Sequence, residues 1–313
     1  MKKQLLILSI ALITSLGFYS CKKKYQIIPA PTPTSGIRDS FAKLQLDNIQ
    51  TRTISGFSGG SFETAGGLKV QVPASAFSDV SGIPIAGNVN IEIKEMLTPS
   101  EMIFNEKSTT SNGEVLVTGG QFKISYTTNG NPVYIRGGYQ LNVQVPTNIG
   151  DNNMQVFYGA EDETGFVNWT QAMDTSLFPQ PIPAVLDTSG TSYNFALDSL
   201  SANWINCDYF YSVSGAKTKL TVSLPEEYNN SNTMFFMNFN TIQSVMNGYF
   251  DGTNFVSSGQ IPVGTDLQLI LISEIDGDFY YKGINISVGN NHKSTLVLDP
   301  STYDDIEKAI NNL

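Results

Sequence analysis

Few residues in this chain have the type and spacing to do chemistry, and each grouping can be compared with the geometry its reaction needs. Gly56-Phe57-Ser58-Gly59-Gly60 fits the Gly-x-Ser-x-Gly pattern of serine hydrolases. That pattern works when a strand precedes the serine and a helix follows it, so that the hydroxyl sits on a strained turn. Here the continuation is SFETAGGLKVQVP, a loop and then a strand-like run, and the single histidine, His292, stands far off in a Gly-Asn-Asn-His-Lys turn. A glycine-rich loop is the better reading. Carboxylate-based hydrolysis needs an acid and a base ~5–9 Å apart. Glu92 with Glu95, Glu161 with Glu163 and Asp276 with Asp278 are available, but nothing in the surrounding strands and turns marks a cleft. Asp276-Gly277-Asp278 and Glu161-Asp162-Glu163 offer hard oxygens to calcium, yet neither follows the Asp-rich loop that wraps that ion. The expectation is a protein without enzymatic activity, metal or cofactor.

Aromatic side chains are the remaining candidates for a binding site. Trp169, Trp204, Tyr280 and Tyr281 can stack on a sugar ring, although aromatic residues in strand contexts more often fill a core. Outward Asn and Tyr side chains on such strands suit a protein-binding surface equally well.

The N-terminus carries a different chemistry. Met1-Lys2-Lys3 is a basic start, and Leu5 to Phe18 is a short apolar run that ends before Cys21-Lys22-Lys23-Lys24. This is the pattern of a secretory signal peptide, since a membrane-spanning helix takes ~20 apolar residues. Phe18-Tyr19-Ser20-Cys21 resembles a bacterial lipobox of the looser, Bacteroidota type, in which the cysteine becomes the mature N-terminus and bears acyl chains. Each buried methylene adds ~0.8 kcal/mol, so two or more chains hold a protein to a membrane stably. The resemblance makes Cys21 the lipid-attachment residue. Pro29, Pro31 and Pro33 then read as an extended spacer. With Cys21 acylated, Cys207 has no intramolecular partner and is expected to pack as a small apolar residue.

Composition narrows the field further. The chain has 313 residues, a formal charge of -10 and only 15% charged side chains, whereas phosphate-neutralising proteins cluster Lys and Arg. Nucleic acid is excluded as a main partner. One His and two Cys are too few for a Cys/His zinc site.

The elements that must position these residues are mostly strands. LKVQVP (68–73), NVNIEIKEM (88–96), EVLVTGGQFKISYTT (114–128), YQLNVQVP (139–146), WINCDYFY (204–211), TMFFMNF (233–239), DLQLILISEI (266–275) and DFYYKGINISV (278–288) show partial period-two alternation. QVFYGAEDETGFVNW (155–169) reads as a hairpin, and Asp251-Gly252, Asp276-Gly277 and Gly289-Asn290 mark tight turns. LKVQVP recurs as LNVQVP at 141–146 and more loosely as LTVSLP at 220–225; ordinary reuse of a strand pattern explains this better than duplicated units. At the C-terminus, Ser301 with Asp304 resembles a capping box, and Tyr303, Ile306, Ile310 and Leu313 share one helical face.

Gly66-Gly67-Leu68-Lys69-Val70-Gln71-Val72-Pro73-Ala74-Ser75-Ala76-Phe77, followed by GNVNIEIKEM, is similar to the ZU5-type β-sandwich. SNGEVLVTGGQFKIS, GFVNW and NWINCD look like exported lipoproteins of Bacteroidota. The resemblance implies fold and location only. The organisation expected is a signal peptide (1–20), a lipidated N-terminus with Pro-rich linker (21–45), a ZU5-like β-sandwich (46–175), a linker (176–195) and a second β-sandwich with a terminal helix (196–313). The fold class is mainly β, two tandem antiparallel β-sandwich-like domains with a short C-terminal helix. The function expected is that of a non-catalytic lipoprotein of the outer membrane, an accessory protein-binding subunit of an envelope complex for assembly or transport. The alternative is a surface glycan-binding lipoprotein.

Overall fold

Alternation along the strands decides where the core lies. A computed structural model describes residues 37–313 apart from 164, 176–177 and 199–203, so the signal segment, Cys21 and the three prolines lie outside the described residues. In chain order the principal elements are α1 (Ile37–Asp47), β1 (Ile49–Ser55), β2 (Gly60–Glu63), β3 (Lys69–Val72), β4 (Asn88–Met96), α2 (Pro99–Phe104) and β5 (Glu114–Thr128). They continue with β6 (Leu141–Pro146), β7 (Gln155–Glu161), β8 (Val167–Gln171), β9 (Val185–Leu186), β10 (Ser192–Leu197) and β11 (Trp204–Phe210). The last set is β12 (Thr221–Ser223), β13 (Thr233–Phe239), β14 (Ser244–Phe250), β15 (Phe255–Ser257), β16 (Asp266–Ile275), β17 (Asp278–Ser287), β18 (Lys293–Thr295), β19 (Asp299–Ser301) and α3 (Tyr303–Asn311).

The chain is mainly β, in two β-sandwich-like units with a short helix at the C-terminus. In the first unit a large antiparallel sheet runs β1-β4-β5-β11-β7-β8 and a smaller one runs β9-β10-β6-β3-β2. Val89, Ile91 and Ile93 of β4 alternate inward and join Phe122 and Ile124 of β5, Val70 and Val72 of β3, and Tyr193 and Phe195 of β10 in one apolar layer. Burying such side chains contributes roughly 25 cal/mol per Å² of apolar surface. Glu95 continues the inward face of β4 and is buried. Its carboxylate accepts from Thr64 Oγ1, Gly66 N, Leu68 N and Gln50 Nε2. A Cβ on Gly66 would sit 2.9 Å from both oxygens of that side chain, so the Gly-Gly turn lets the β2–β3 hairpin close onto the buried Glu95. Gly119-Gly120 serves a related purpose inside β5. Gly120 has φ 123°, a Cβ on Gly119 would meet the Tyr193 ring at 2.6 Å, and the pairing of β5 with β11 shifts register between Asn206 and Asp208. The fifteen-residue strand thus carries a bulge at its glycines.

The second unit is an eight-stranded sheet in the order β18-β12-β15-β14-β13-β16-β17-β19, antiparallel except for the β12–β18 pair. The β16–β17 hairpin turns at Asp276 and Gly277, both at positive φ, the geometry an Asp-Gly turn supplies. The C-terminal helix is α3, with Ile306 and Ile310 fully buried. Its cap is Thr302, whose side chain accepts from Asp305 N; the expected Ser301–Asp304 box lies one residue early.

Three expectations need correction. Residues 37–45 of the expected linker belong to α1, whose Phe41 packs edge-on against Phe104 of α2 at 5.0 Å. The expected linker 176–195 contains β9 and the start of β10, which pair back onto the small sheet. The expected boundary at 196 falls inside β10, and β11 lies between β5 and β7 in the large sheet, so the first set of strands closes only after Phe210. The units also share a core. The outer face of the large sheet (Met96, Leu116, Phe157, Trp169, Trp204) meets α1, α2, α3 and the second unit's Met234, Phe236, Val245, Ile270 and Ile272.

Candidate functional site

Trp169 and Trp204 are not surface aromatics. They lie in one cross-strand row, Lys94–Lys123–Trp204–Gly159–Trp169, running over β4, β5, β11, β7 and β8. Both indoles are buried in the shared core, their rings edge to face at 6.5 Å. The reason is Gly159, since a Cβ there would come within 2.7 Å of the Trp204 Cβ and 2.9 Å of the Trp169 ring. Trp169 Nε1 donates to Ser108 O at 2.8 Å, and Trp204 Nε1 donates to Glu161 Oε2 at 2.8 Å. Neither indole presents a face to a ligand, which corrects their assignment as binding aromatics.

Glu161 gathers charge at the end of that row. Its carboxylate accepts from Lys107 Nζ at 3.0 Å and from Lys123 Nζ at 2.9 Å, and both ammonium groups lie within 5.2 Å of the Trp204 ring. Partial burial works against the charge, but hydrogen bonds from Lys123 and Trp204 and the Lys107 ammonium outweigh it and pull the carboxyl down to about 2. Lys94, in contrast, is lowered to about 8, first by burial and then by Lys107 and Lys123, against the opposing pull of Glu161.

The other candidates are dispersed. Tyr280 and Tyr281 are adjacent on β17 and half-buried. Tyr280 packs edge-on to Tyr228 at 6.2 Å, while Tyr281 packs on the shared core, so they address different surroundings. Ser58 lies in the turn between β1 and β2, with a strand after it, and its backbone N–H is held by Ser55 Oγ. His292 belongs to the second unit, where Nδ1 accepts from Gly289 N and Nε2 meets Ser294 Oγ. Glu92 is exposed and Glu95 is buried on the opposite face of β4. Among the described residues no three His, Cys, Asp or Glu side chains converge as metal ligands, and no helix is long and apolar enough to cross a membrane.

Two surfaces remain that sequence reasoning did not single out. The first is the outer face of the small sheet, which forms an open concavity of about 820 Å³. Strand pairing arranges its side chains in two rows. One runs Val185, Asn194, Gln144, Lys69, Glu63 from β9 to β2, and the other runs Asn142, Gln71, Ser61. The second surface is a loop cluster at one end of this unit, exposing Phe57 (70%), Val80 (84%), Ile83 (60%) and Tyr134. These loops are tied together: Gly56 N donates to Gly87 O, Asp79 N donates to Ile83 O, and Ser78 pairs with Tyr134. The echo of LKVQVP in LNVQVP was the signal for the first surface, because these copies are β3 and β6, antiparallel neighbours with Val70 opposite Val143.

No protein-family model matches the chain, and no curated protein matches it.

Proposed function

We propose that this chain is an exported, lipid-anchored and non-catalytic protein of the outer membrane that serves as an accessory, protein-binding subunit of an envelope complex. The observation that carries the protein-binding reading is the apolar loop cluster. Phe57, Val80, Ile83 and Tyr134 are large side chains held in solvent by loops hydrogen-bonded to one another. Exposed apolar patches of that kind mark interaction sites, and aromatic anchors dominate the energetics of protein interfaces. The signal pattern and Cys21 support the address. Ser58 is tied to Ser55 in the first unit and His292 to Gly289 and Ser294 in the second, which supports a non-catalytic role.

Two experiments test this reading. Cys21→Ser moves the protein from the membrane to soluble fractions, and unchanged membrane association defeats the anchor. Phe57→Ser with Ile83→Asp abolishes co-purification of a defined partner from detergent-solubilised outer membranes. A partner retained at wild-type stoichiometry defeats the loop-cluster interface.

A further inference from the structure

The outer face of the small sheet has a chemistry distinct from that of the loop cluster. Gln71, Asn142, Gln144 and Asn194 stand on three adjacent strands, and strands are spaced ~4.8 Å apart. Each amide carries two donor hydrogens and an acceptor oxygen, the same dual character a sugar hydroxyl has. A ligand lying across the strands therefore meets a group able both to give and to accept a hydrogen bond at each step.

The amides are partly pre-aligned. Asn142 Nδ2 lies 3.5 Å from Gln71 Oε1, and Gln144 Nε2 donates to Ser192 Oγ at 2.6 Å. The near-repeat places them symmetrically, since Gln71 faces Asn142 and Gln144 faces Lys69 on either side of the Val70–Val143 pair. Charge is balanced at the far end of the concavity, where Lys69 Nζ lies 3.8 Å from Glu63 Oε2. An anionic or cationic polymer finds no uncompensated partner on this face. A protein partner finds little to anchor it, because among the described residues Val185 is the one large apolar side chain exposed there.

We propose that the outer face of the small sheet binds an uncharged oligosaccharide laid across its strands, with Gln71, Asn142, Gln144 and Asn194 hydrogen-bonding its hydroxyls. The site replaces the buried tryptophans with an amide platform and stands independently of the protein-binding loop cluster.

Affinity electrophoresis of the full-length chain in mild detergent tests the proposal, using gels containing dextran, glycogen, galactomannan or xyloglucan and a charged arm of polygalacturonate. At least one neutral polysaccharide is expected to retard the protein, with roughly tenfold weaker binding in Gln71→Ala/Gln144→Ala, the scale of two lost hydrogen bonds. Circular dichroism checks that this variant is folded, and Gln144→Glu, close in shape but charged, is expected to lose retardation as well. The loop variant Phe57→Ser/Ile83→Asp keeps it, so failure of the protein-partner reading leaves this result untouched. Absence of retardation by every neutral polysaccharide, retardation by polygalacturonate alone, or undiminished retardation of the amide variants overturns the proposal.

Discussion

Asp208 offers the sharpest physical test of the structure. It lies on β11 on the side facing the shared core, fully buried, with Asn206 Nδ2 donating to its Oδ2 at 2.6 Å while Oδ1 has no hydrogen-bond partner. Burial drives its pKa well above the ordinary carboxylate value, and the lowering influence of the neighbouring Thr118 side chain does not offset it. Between the unfolded Asp pKa near 3.9 and the raised native one, the native state holds a proton that the unfolded chain releases. Stability from this group is complete below about pH 4 and is lost as pH rises, at about 1.4 kcal/mol per pH unit while the native carboxyl stays protonated. Asp208→Asn removes the titration and keeps the shape. Urea denaturation of both proteins between pH 5 and pH 7 is the assay, and the difference cancels every other titrating group. The variant gains on the wild type as pH rises across that interval, by no more than about 1.4 kcal/mol per pH unit. A difference that stays constant with pH refutes the account, because it means that Asp208 ionises in the folded protein much as it does in the unfolded chain.

Other outcomes follow from the tryptophan row and the buried thiol. Gly159→Ala drives a methyl into Val167 at 2.5 Å and into both tryptophans, so a loss of about 1–3 kcal/mol in urea denaturation is expected from overpacking; an unchanged midpoint contradicts the close approach. Lys94 titrates near 8, and NMR of the isotopically methylated lysines is expected to show it rising in Lys123→Met and falling in Glu161→Gln; a value fixed in both variants rules out the assigned causes. Because the native value lies below that of the unfolded chain, this lysine adds stability as pH increases above 8. Cys207 is buried and its thiol is pushed well above the usual value by burial and by Asp208. In a Cys21→Ser background it resists thiol reagents until denaturant is added, and stoichiometric native labelling counts against the packing.

Local pattern carried much of the fold because local pattern is what specifies strands. The runs 88–96 and 114–128 form single strands with those limits, and Asp276-Gly277 turns the hairpin it marks. Pairing between distant strands was not legible. The Pro-rich stretch near 180 looked like a boundary, yet Tyr193 pairs with Val145 and Ile205 with Phe122, contacts that leave no local periodicity. Helix α1 escaped notice because its Phe41 is buried by α2, sixty residues further along the sequence, and no long apolar stripe announces it. The tryptophans illustrate the converse. Their residue type suggested ligand stacking, but the single glycine between them, Gly159, fixes them as neighbours in a core.

Burial of the large sheet on both faces changes what the first unit can offer a partner. Its inner face packs on the small sheet, and its outer face packs on the helices and the second unit. Among the described residues, the one sheet face left broadly open in that unit is therefore the outside of the small sheet. Solubility alone accounts for polar side chains there, and Lys, Glu or Asp would serve it as well as amides do. It does not account for four neutral amides on neighbouring strands, a balanced Lys69–Glu63 pair and a concave surface together. In a chain with a formal charge of -10, neutrality at this face is a local departure from the whole. That departure separates a surface merely compatible with water from one matched to an uncharged polyhydroxyl ligand.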